Sequence, residues 1–525
     1  MRTEKAALRF ARMLGLESPV EPAALYGAAA DHDYLRNLLV CRGNPKFLQV
    51  LLSAPPQGEA PEGELMDRLV GQWAKRAEET RLRQEYEEKY GAYLRYEAAQ
   101  DEAGQKPCGA GVQSFVKGFR QVNLDNHATT ELRPEIRWLL SAYDRGEYGF
   151  GNPSSATMPG YLAGDHLLEA RRRIARLLGV PAGCIYFTGS GSEANNLAIK
   201  GIALNRLKQK GHIVTTRAEH KSVLEAVDWL EEIGFSVTRL TVDQEGRVDP
   251  GDAEEALRPD TLLVAVMTAN NEVGTVNPMK EISQICKKAG VPLFSDAVQA
   301  FGRIPLEPLQ MGISAMSFSA HKLGGPKGIG GLYVEEGLSL VPLIHGGGQE
   351  KGLRGGTENV AGAMAFAYAS QLAWEDMEKQ AERWDQLRRG FLAELAKIDP
   401  DFRLLGHPRE RLPQNICLAF PGVSGRALQK SLSKAGIAVS TGSACGARRM
   451  PQSHVLRAMG ISPSRYGVIR LGMGIDTNEE DLDYALRQLE GILPQLKGRA
   501  GDFEDGGAGV FLNGETGFLK NPLND

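Results

Sequence analysis

Seven short runs rich in β-branched and other apolar residues alternate with helical stretches between about residues 122 and 375. In chain order the runs are IYFTGS, HIVTT, SVTRL, LLVAVMT, PLFSDAV, AMSFSA and GGLYV. Such alternation is typical of an α/β fold, in which a mostly parallel sheet carries helices on both faces. It also predicts the place of a functional site, because ligands of these sheets bind beyond the carboxyl ends of the strands.

The sequence divides into four regions, one of which contains this α/β pattern. Residues 1–120 have apolar residues at helical spacing and end in a linker-like stretch, AGQKPCGAG, so we predict a helical N-terminal extension. We assign 121–375 to a large α/β domain and 376–498 to a smaller α+β domain that opens with a long helix. Residues 499–525 are rich in glycine and acidic residues, and we expect a disordered tail.

Charge and cysteine content exclude several classes of protein. The 525 residues carry a formal net charge of −4, which gives no electrostatic basis for binding nucleic acid or an anionic membrane. No apolar run has the length of a membrane span, and the N-terminus lacks the apolar core of a signal peptide. The six cysteines are scattered without paired zinc-ligand spacing, so we expect no disulfide framework, no metal site and a cytoplasmic location.

Lys322 follows a predicted strand in the segment SFSAHK and precedes the glycine-rich run GGPKGIGG. A lysine in this setting is a candidate for the amine that binds an aldehyde cofactor, with Ser319 and His321 as donors to the cofactor's phosphate. Gly191 and Ser192 follow another strand and would open a helix, whose free backbone N–H groups suit a phosphate. The same two residues could equally form an ordinary helix cap.

Four polar side chains follow other predicted strands. Asp296 could pair with a protonated pyridine nitrogen, or cap the next turn. Gln299, three residues later, could reach the phenolic oxygen of such a ring. His220 could stack on the ring, although a lone histidine is more often structural. Asn271 could bind the phenolic oxygen or a substrate carboxylate, or form a turn.

Three more residues stand in segments that favour anion binding or nucleophilic chemistry. Thr357 lies in the glycine-rich HGGGQEKGLRGGTEN, which could bind an anion or be a mobile surface loop. Cys445 lies among small residues near Arg448 and Arg449, whose positive charge favours a nucleophilic thiolate over a buried structural thiol. Arg470, within a short apolar run, requires an anionic partner, and a substrate carboxylate would be a good one.

The order of these motifs resembles that of the cysteine desulfurase family, the class V group of fold-type I enzymes that use pyridoxal 5'-phosphate. The resemblance covers about residues 122–498 and includes NLDNHATT, FGNPSS, TGSGSEANNLAIKG, AEHKSV, NNEVG, SDAVQ, SFSAHKLGGPKGIG, HGGGQEKGLRGGTEN and STGSACG. It implies an enzyme that converts L-cysteine to L-alanine and carries the sulfur as a persulfide. It further implies a homodimer and a sulfur-acceptor protein, such as an iron–sulfur scaffold or a thiolation enzyme.

The resemblance implies a role for each candidate residue. Lys322 would be the Schiff-base lysine that also moves the α-proton, His220 would stack on the ring and shuttle protons, and Cys445 would be the nucleophile. Arg470 and Asn271 would bind the substrate. Further cofactor contacts are implied for Asp296 at the pyridine nitrogen, Gln299 and Asn271 at the phenolic oxygen, Gly191, Ser192, Ser319 and His321 at the phosphate, and Thr357 at the phosphate bound by the partner subunit.

The chain departs from the family pattern at three places. Thr268 stands where many relatives carry histidine, Ile475 replaces an arginine of some relatives, and GARRMPQSHVL after Cys445 lacks the usual serine-rich sequence. The last departure leaves the sulfur acceptor open. Residues 1–120 could dock a partner, regulate the enzyme, extend the dimer or simply pack on it, and Cys41 could be a relay thiol or a buried structural one.

Other functions remain compatible with parts of the pattern. A selenocysteine lyase would use the same residues. Another class V activity, such as an aminotransferase or epimerase, would not need Cys445. A non-catalytic scaffold in a sulfur-transfer complex would not need the set of Lys322, Asp296, His220 and Cys445.

Overall fold

A computed structural model describes residues 120–441, 453–462 and 465–497. The predictions for the N-terminal extension, for Cys41, for the C-terminal tail and for Cys445 with its two arginines lie outside the described residues.

The described chain begins with β1 (Val122–Asn123) and continues into a seven-stranded sheet. The spatial order of its strands is β2-β8-β7-β6-β5-β3-β4, and β8 alone runs antiparallel to its two neighbours. The mostly parallel sheet and all seven of its strands are thus as the sequence predicts. The strands are β2 (Ile185–Thr188), β3 (His212–Thr216), β4 (Ser236–Leu240), β5 (Thr261–Ala265), β6 (Leu293–Asp296), β7 (Ala315–Ser319) and β8 (Gly330–Val334).

Helices cover both faces of this sheet, which confirms the predicted α/β class. They are α1 (Pro134–Asp144), α2 (Met158–Leu178), α3 (Gly191–Leu204), α4 (Lys221–Glu232), α5 (Pro250–Ala256), α6 (Met279–Ala289), α7 (Pro308–Met311) and α8 (Val360–Glu375). Successive strand residues point to opposite faces, so Val214 belongs to the apolar cluster that includes α2 and α8, while the preceding Ile213 belongs to the one that includes α3 and α4. Strands β3, β5, β6, β7 and β8 are almost wholly buried, which explains why apolar residues predominate in them, whereas the edge strand β4 is only partly buried.

A second, three-stranded antiparallel sheet has the order β12-β10-β9. The remaining elements are β9 (Arg403–Leu405), β10 (Asn415–Pro421), β11 (Ile437–Ala438), β12 (Tyr466–Gly472), α9 (Met377–Ile398), α10 (Gly425–Lys434), α11 (His454–Ala458) and α12 (Glu479–Lys497). Helix α9 is the long helix that the sequence predicts at the start of this region. Strand β1 pairs in parallel with β11, and Val122 and Leu124 lie in the core of this second sheet.

Among the residues that the structure describes, no helix combines the length and the apolar character needed to cross a membrane.

Candidate functional site

The carboxyl ends of the parallel strands lead directly into the predicted site residues. Asp296 is the last residue of β6, and Lys322 ends the short 3₁₀ turn Ala320–Lys322 that follows β7. His220 follows β3 as the N-cap of α4. Strands β6 and β7 are parallel neighbours, so the carboxylate and the amine emerge at the same edge of the sheet.

Asp296 is buried and has a partner on each carboxylate oxygen. Oδ1 accepts a hydrogen bond from the backbone N–H of Val298 at 2.9 Å, which is the turn cap that the sequence left open as an alternative. Oδ2 accepts a hydrogen bond from Asn195 Nδ2 at 2.7 Å. Two N–H donors therefore hold the carboxylate in one orientation. Asn195, on α3, is a site residue that the sequence reasoning missed, although it stands within the quoted motif TGSGSEANN.

His220 is connected to Asp296 through two polar side chains. Asn195 Nδ2 also donates to Ser222 Oγ at 2.8 Å, and Ser222 Oγ lies 2.7 Å from His220 Nδ1. The same Nδ1 accepts the backbone N–H of Ser222 at 3.2 Å, so the imidazole caps α4. Because Nδ1 acts as an acceptor, a neutral His220 carries its proton on Nε2.

Lys322 is held at both its amine and its backbone. Its Nζ donates hydrogen bonds to the carbonyls of His127 at 2.6 Å and Ala128 at 2.9 Å. Its own carbonyl accepts a hydrogen bond from Arg303 Nη2 at 2.7 Å. The Arg303 guanidinium lies over the ring of the buried Trp384, 5.0 Å from its centroid, which couples the lysine turn to helix α9.

The start of helix α3 supplies backbone N–H donors of the kind that bind a phosphate. The hydroxyl of Ser190 accepts the N–H of Glu193, and its carbonyl accepts the N–H of Ala194, so the amides of Gly191 and Ser192 precede the helical bonds. A Cβ added to Gly191 would lie 2.7 Å from Val298 Cγ2 and 3.4 Å from Ser319 Cβ. Glycine is therefore needed for the close approach of α3 to the turn after β6.

Ser319 and His321 complete this side of the site. Ser319 Oγ is buried and has no hydrogen-bond partner within the described residues. A buried hydroxyl without a partner is costly, and an incoming anion would satisfy it. Burial, with a smaller contribution from Lys322 and Lys327, lowers the pKa of His321 to about 4. Its Nδ1 lies 3.1 Å from Thr129 Oγ1.

These groups fit pyridoxal phosphate. The ring nitrogen requires a carboxylate, the aldehyde requires an amine, and the phosphate requires several donors that have no other partner. Asp296, Lys322, Ser319 and the amides at the start of α3 supply these three kinds of group.

Arg470, on β12, is buried and paired, as its apolar surroundings require. Its Nη2 donates to Asp125 Oδ1 at 2.9 Å and its Nη1 donates to the carbonyl of Asn271 at 2.7 Å. The carboxylate partner in this structure is thus Asp125, which the sequence reasoning did not single out. Arg470 Nε is buried without a partner among the described residues, so it is the one guanidinium nitrogen that has no acceptor there.

The two remaining predicted residues of this group, Asn271 and Thr357, differ in their burial. Asn271 is buried, and its backbone carbonyl contacts Arg470. Thr357 is exposed. The glycine-rich segment before it is anchored, because Glu350 accepts two hydrogen bonds from Arg171, at 2.7 and 2.8 Å, and a third from the backbone N–H of Phe187. This anchoring argues against the alternative of a mobile surface loop.

The described residues on either side of the Cys445 segment are attached to this site. Ser440 Oγ donates to the same Asp125 Oδ1 that Arg470 contacts, at 2.8 Å. Beyond the segment, Ser453 Oγ donates to Glu272 Oε2 at 2.6 Å, next to Asn271. His454 Nε2 lies 2.7 Å from the carbonyl of Glu219, which immediately precedes His220.

Glu219 is a buried acid that the sequence reasoning also missed. Its Oε1 accepts hydrogen bonds from Met267 N at 2.9 Å and Thr216 Oγ1 at 3.0 Å, which ties the end of β3 to the segment after β5. Burial raises the pKa of Glu219 to about 8. The residue is therefore mostly protonated at neutral pH.

Comparison with known proteins matches residues 122–485 to the family described as aminotransferase class V. The cysteine desulfurase IscS of Dictyoglomus turgidum is 43% identical over 379 residues, which span 72% of this chain and 96% of that protein. The cysteine desulfurase IscS of Clostridium botulinum strain Hall is 40% identical, over 74% of this chain and 98% of that protein.

Solved structures of related proteins are also similar to this chain. A structure described as a NifS-like protein is similar with a TM-score of 0.67 and 37% identity, over 72% of this chain and all of that one. A structure described as SspA in complex with cysteine is similar with a TM-score of 0.60 and 34% identity, over 67% of this chain and 99% of that one.

Proposed function

Because this chain belongs to the cysteine desulfurases of the class V aminotransferase family, we propose that it converts L-cysteine to L-alanine with pyridoxal 5'-phosphate and carries the sulfur on Cys445. One observation supports the site most strongly. The Asp296 carboxylate, the Lys322 amine and the unpartnered Ser319 hydroxyl lie at the carboxyl ends of the adjacent strands β6 and β7.

In this proposal Lys322 would hold the cofactor covalently and Asp296 would pair with its ring nitrogen. The amides at the start of α3, Ser319 and His321 would hold its phosphate. His220 would stack on the ring, and Gln299 and Asn271 would contact its phenolic oxygen. When bound, the cofactor withdraws electrons from the substrate and makes its α-proton removable.

Arg470 binds the substrate carboxylate in this proposal, through the edge of the guanidinium that carries the unpartnered Nε. Lys322 then takes the α-proton and returns a proton to carbon, with His220 as the proton shuttle. The Cys445 thiolate attacks the substrate sulfur. A sulfur–sulfur bond forms, the carbon–sulfur bond breaks, and its electron pair returns to the substrate carbon, which is released as alanine after protonation.

We also propose that the enzyme is a cytoplasmic homodimer. Phe150, Met158 and Tyr161, at and before the start of α2, are apolar side chains with 85%, 72% and 61% of their surface exposed. An exposed apolar patch of this kind is typical of a protein interface. The exposed Thr357 is available to the cofactor phosphate of a second subunit.

We propose that the persulfide on Cys445 passes to an acceptor protein, either an iron–sulfur scaffold or a thiolation enzyme.

The test uses the purified protein loaded with pyridoxal phosphate. With L-cysteine and a thiol reductant it is expected to form alanine and sulfide in equal amounts. Cys445→Ala is expected to lose both products but to retain the visible absorbance of the cofactor, whereas Lys322→Ala is expected to lose that absorbance. A parent protein that binds the cofactor yet forms no alanine from cysteine would refute the proposed activity.

A further inference from the structure

His127, in the NHATT segment after β1, is a buried histidine to which the proposed function assigns no task. Its ring and its backbone contact two other site residues, Gln299 and Lys322. Nδ1 lies 2.9 Å from Gln299 Oε1, and the carbonyl accepts hydrogen bonds from Gln299 Nε2 at 3.0 Å and Lys322 Nζ at 2.6 Å. On the other side, Nε2 lies 3.3 Å from Asn415 Nδ2.

The direction of the bond between His127 and Gln299 follows from the backbone. The carbonyl of His127 can only accept, so the end of the Gln299 amide that contacts it is the NH₂ group. The opposite end is the amide oxygen, which also can only accept. Nδ1 of His127 must therefore carry the ring proton and donate it to Gln299 Oε1.

The other ring nitrogen requires the same tautomer on independent grounds. Asn415 Nδ2 donates to the carbonyl of Glu272 at 3.1 Å, and Asn415 Oδ1 accepts from Arg411 Nη2 at 2.9 Å. A guanidinium only donates, so the Asn415 amide has one permitted orientation and presents N–H to His127 Nε2. Burial lowers the pKa of His127 well below its usual value, and the charge of Arg470 adds to this effect, so the ring is neutral.

A directed chain of hydrogen bonds therefore runs from Arg411 through Asn415 and His127 to Gln299. We propose that His127 is a positioning residue that orients the Gln299 amide so that it meets the phenolic oxygen of the cofactor only as a donor. One hydrogen of Gln299 Nε2 contacts the His127 carbonyl, and the second remains for the ligand. A donor stabilises the deprotonated, negatively charged oxygen, whereas a reversed amide would repel it.

This inference rests on the proposed function for the place of Gln299 but not for the state of His127. The first experiment is therefore ¹⁵N NMR of the histidine-labelled protein, with and without pyridoxal phosphate, using ring-to-backbone couplings for assignment. His127 is expected to show a protonated Nδ1 and an unprotonated Nε2 from pH 6 to 9. A proton on Nε2, or a doubly protonated ring in this range, would overturn the proposal.

The second experiment measures the pH midpoint at which the visible band of the bound cofactor changes. Gln299→Leu is expected to raise this midpoint by about one pH unit, since it removes one hydrogen bond to a charged oxygen. His127→Phe is expected to raise it by less, because it removes the ring donor to Gln299 Oε1 but leaves the backbone carbonyl that accepts from Gln299 Nε2. The double variant is expected to shift no further than Gln299→Leu, because both act through one contact. Additive shifts, or a parental midpoint in folded His127→Phe, would count against His127.

The two proposals fail in different ways. A parent protein that shows the Nδ1 tautomer but forms no alanine refutes the desulfurase activity and leaves the role of His127 intact. A parent that forms alanine while His127 carries its proton on Nε2 refutes only the positioning role.

Discussion

Arg470→Lys tests the proposed substrate site most directly, because it preserves the positive charge and removes the planar fork. In the structure Nη1 and Nη2 contact the Asn271 carbonyl and Asp125, and Nε is the buried donor without a partner in the described region. A lysine has one ammonium group for these three directions. We expect that group to remain with Asp125, so that a substrate carboxylate loses at least one charge-assisted hydrogen bond.

The loss of one charge-assisted hydrogen bond sets the expected fall in kcat/KM. One hydrogen bond to a charged group contributes about 1.5–3 kcal/mol. Since about 1.4 kcal/mol corresponds to a tenfold change, kcat/KM for L-cysteine is expected to fall by roughly 10- to 150-fold. Binding of the carboxylate precedes the chemistry, so most of the loss should appear as a higher KM.

The assay is the initial rate of alanine formation over a range of L-cysteine concentrations. Arg389→Lys is the matched control, because the Arg389 side chain is 68% exposed on α9, and it should retain parental kinetics. The visible spectrum of the cofactor checks that the site remains assembled. A parental KM in Arg470→Lys would refute the carboxylate role, and an equal loss in Arg389→Lys would show that the effect is not specific to the substrate site.

Three other predictions follow from the described geometry. Ser319→Ala should weaken pyridoxal phosphate binding about tenfold in an absorbance titration without lowering the thermal midpoint, because the hydroxyl has no protein partner in the described region. Burial raises the pKa of Glu219 to about 8 in the folded state, so between about pH 5 and 8 the folded protein binds more protons than the unfolded chain. Its stability therefore falls as the pH rises through this range. Glu219→Gln should make the thermal midpoint less dependent on pH, whereas the control Glu232→Gln, at an exposed residue, should leave the dependence unchanged. Finally, Phe150→Glu combined with Met158→Glu should convert a dimer into a monomer by sedimentation, and a parent that is already monomeric would contradict the proposed interface.

Much of the fold could be predicted from local pattern. The seven strands of the large sheet and the long helix α9 agree with the sequence prediction, because buried strands are rich in apolar residues and an amphipathic helix repeats every 3.6 residues. The reversed direction of β8 and the parallel pairing of β1 with β11 were not predictable in this way. They depend on contacts between distant segments, which no local period records.

The same distinction between local pattern and distant contacts applies to the candidate site. The sequence by itself determined which residue types stand at the strand ends, because a polar side chain directly after an apolar strand is a local signal. Asp296 and Lys322 can be identified from this signal alone. Only the tertiary structure decided which atoms meet. Asn195 and Asp296 are 101 residues apart, His127 and Gln299 are 172 apart, and Asp125 and Arg470 are 345 apart. Hydrogen bonds act over about 3 Å, so these partners become defined only when folding brings their backbones together.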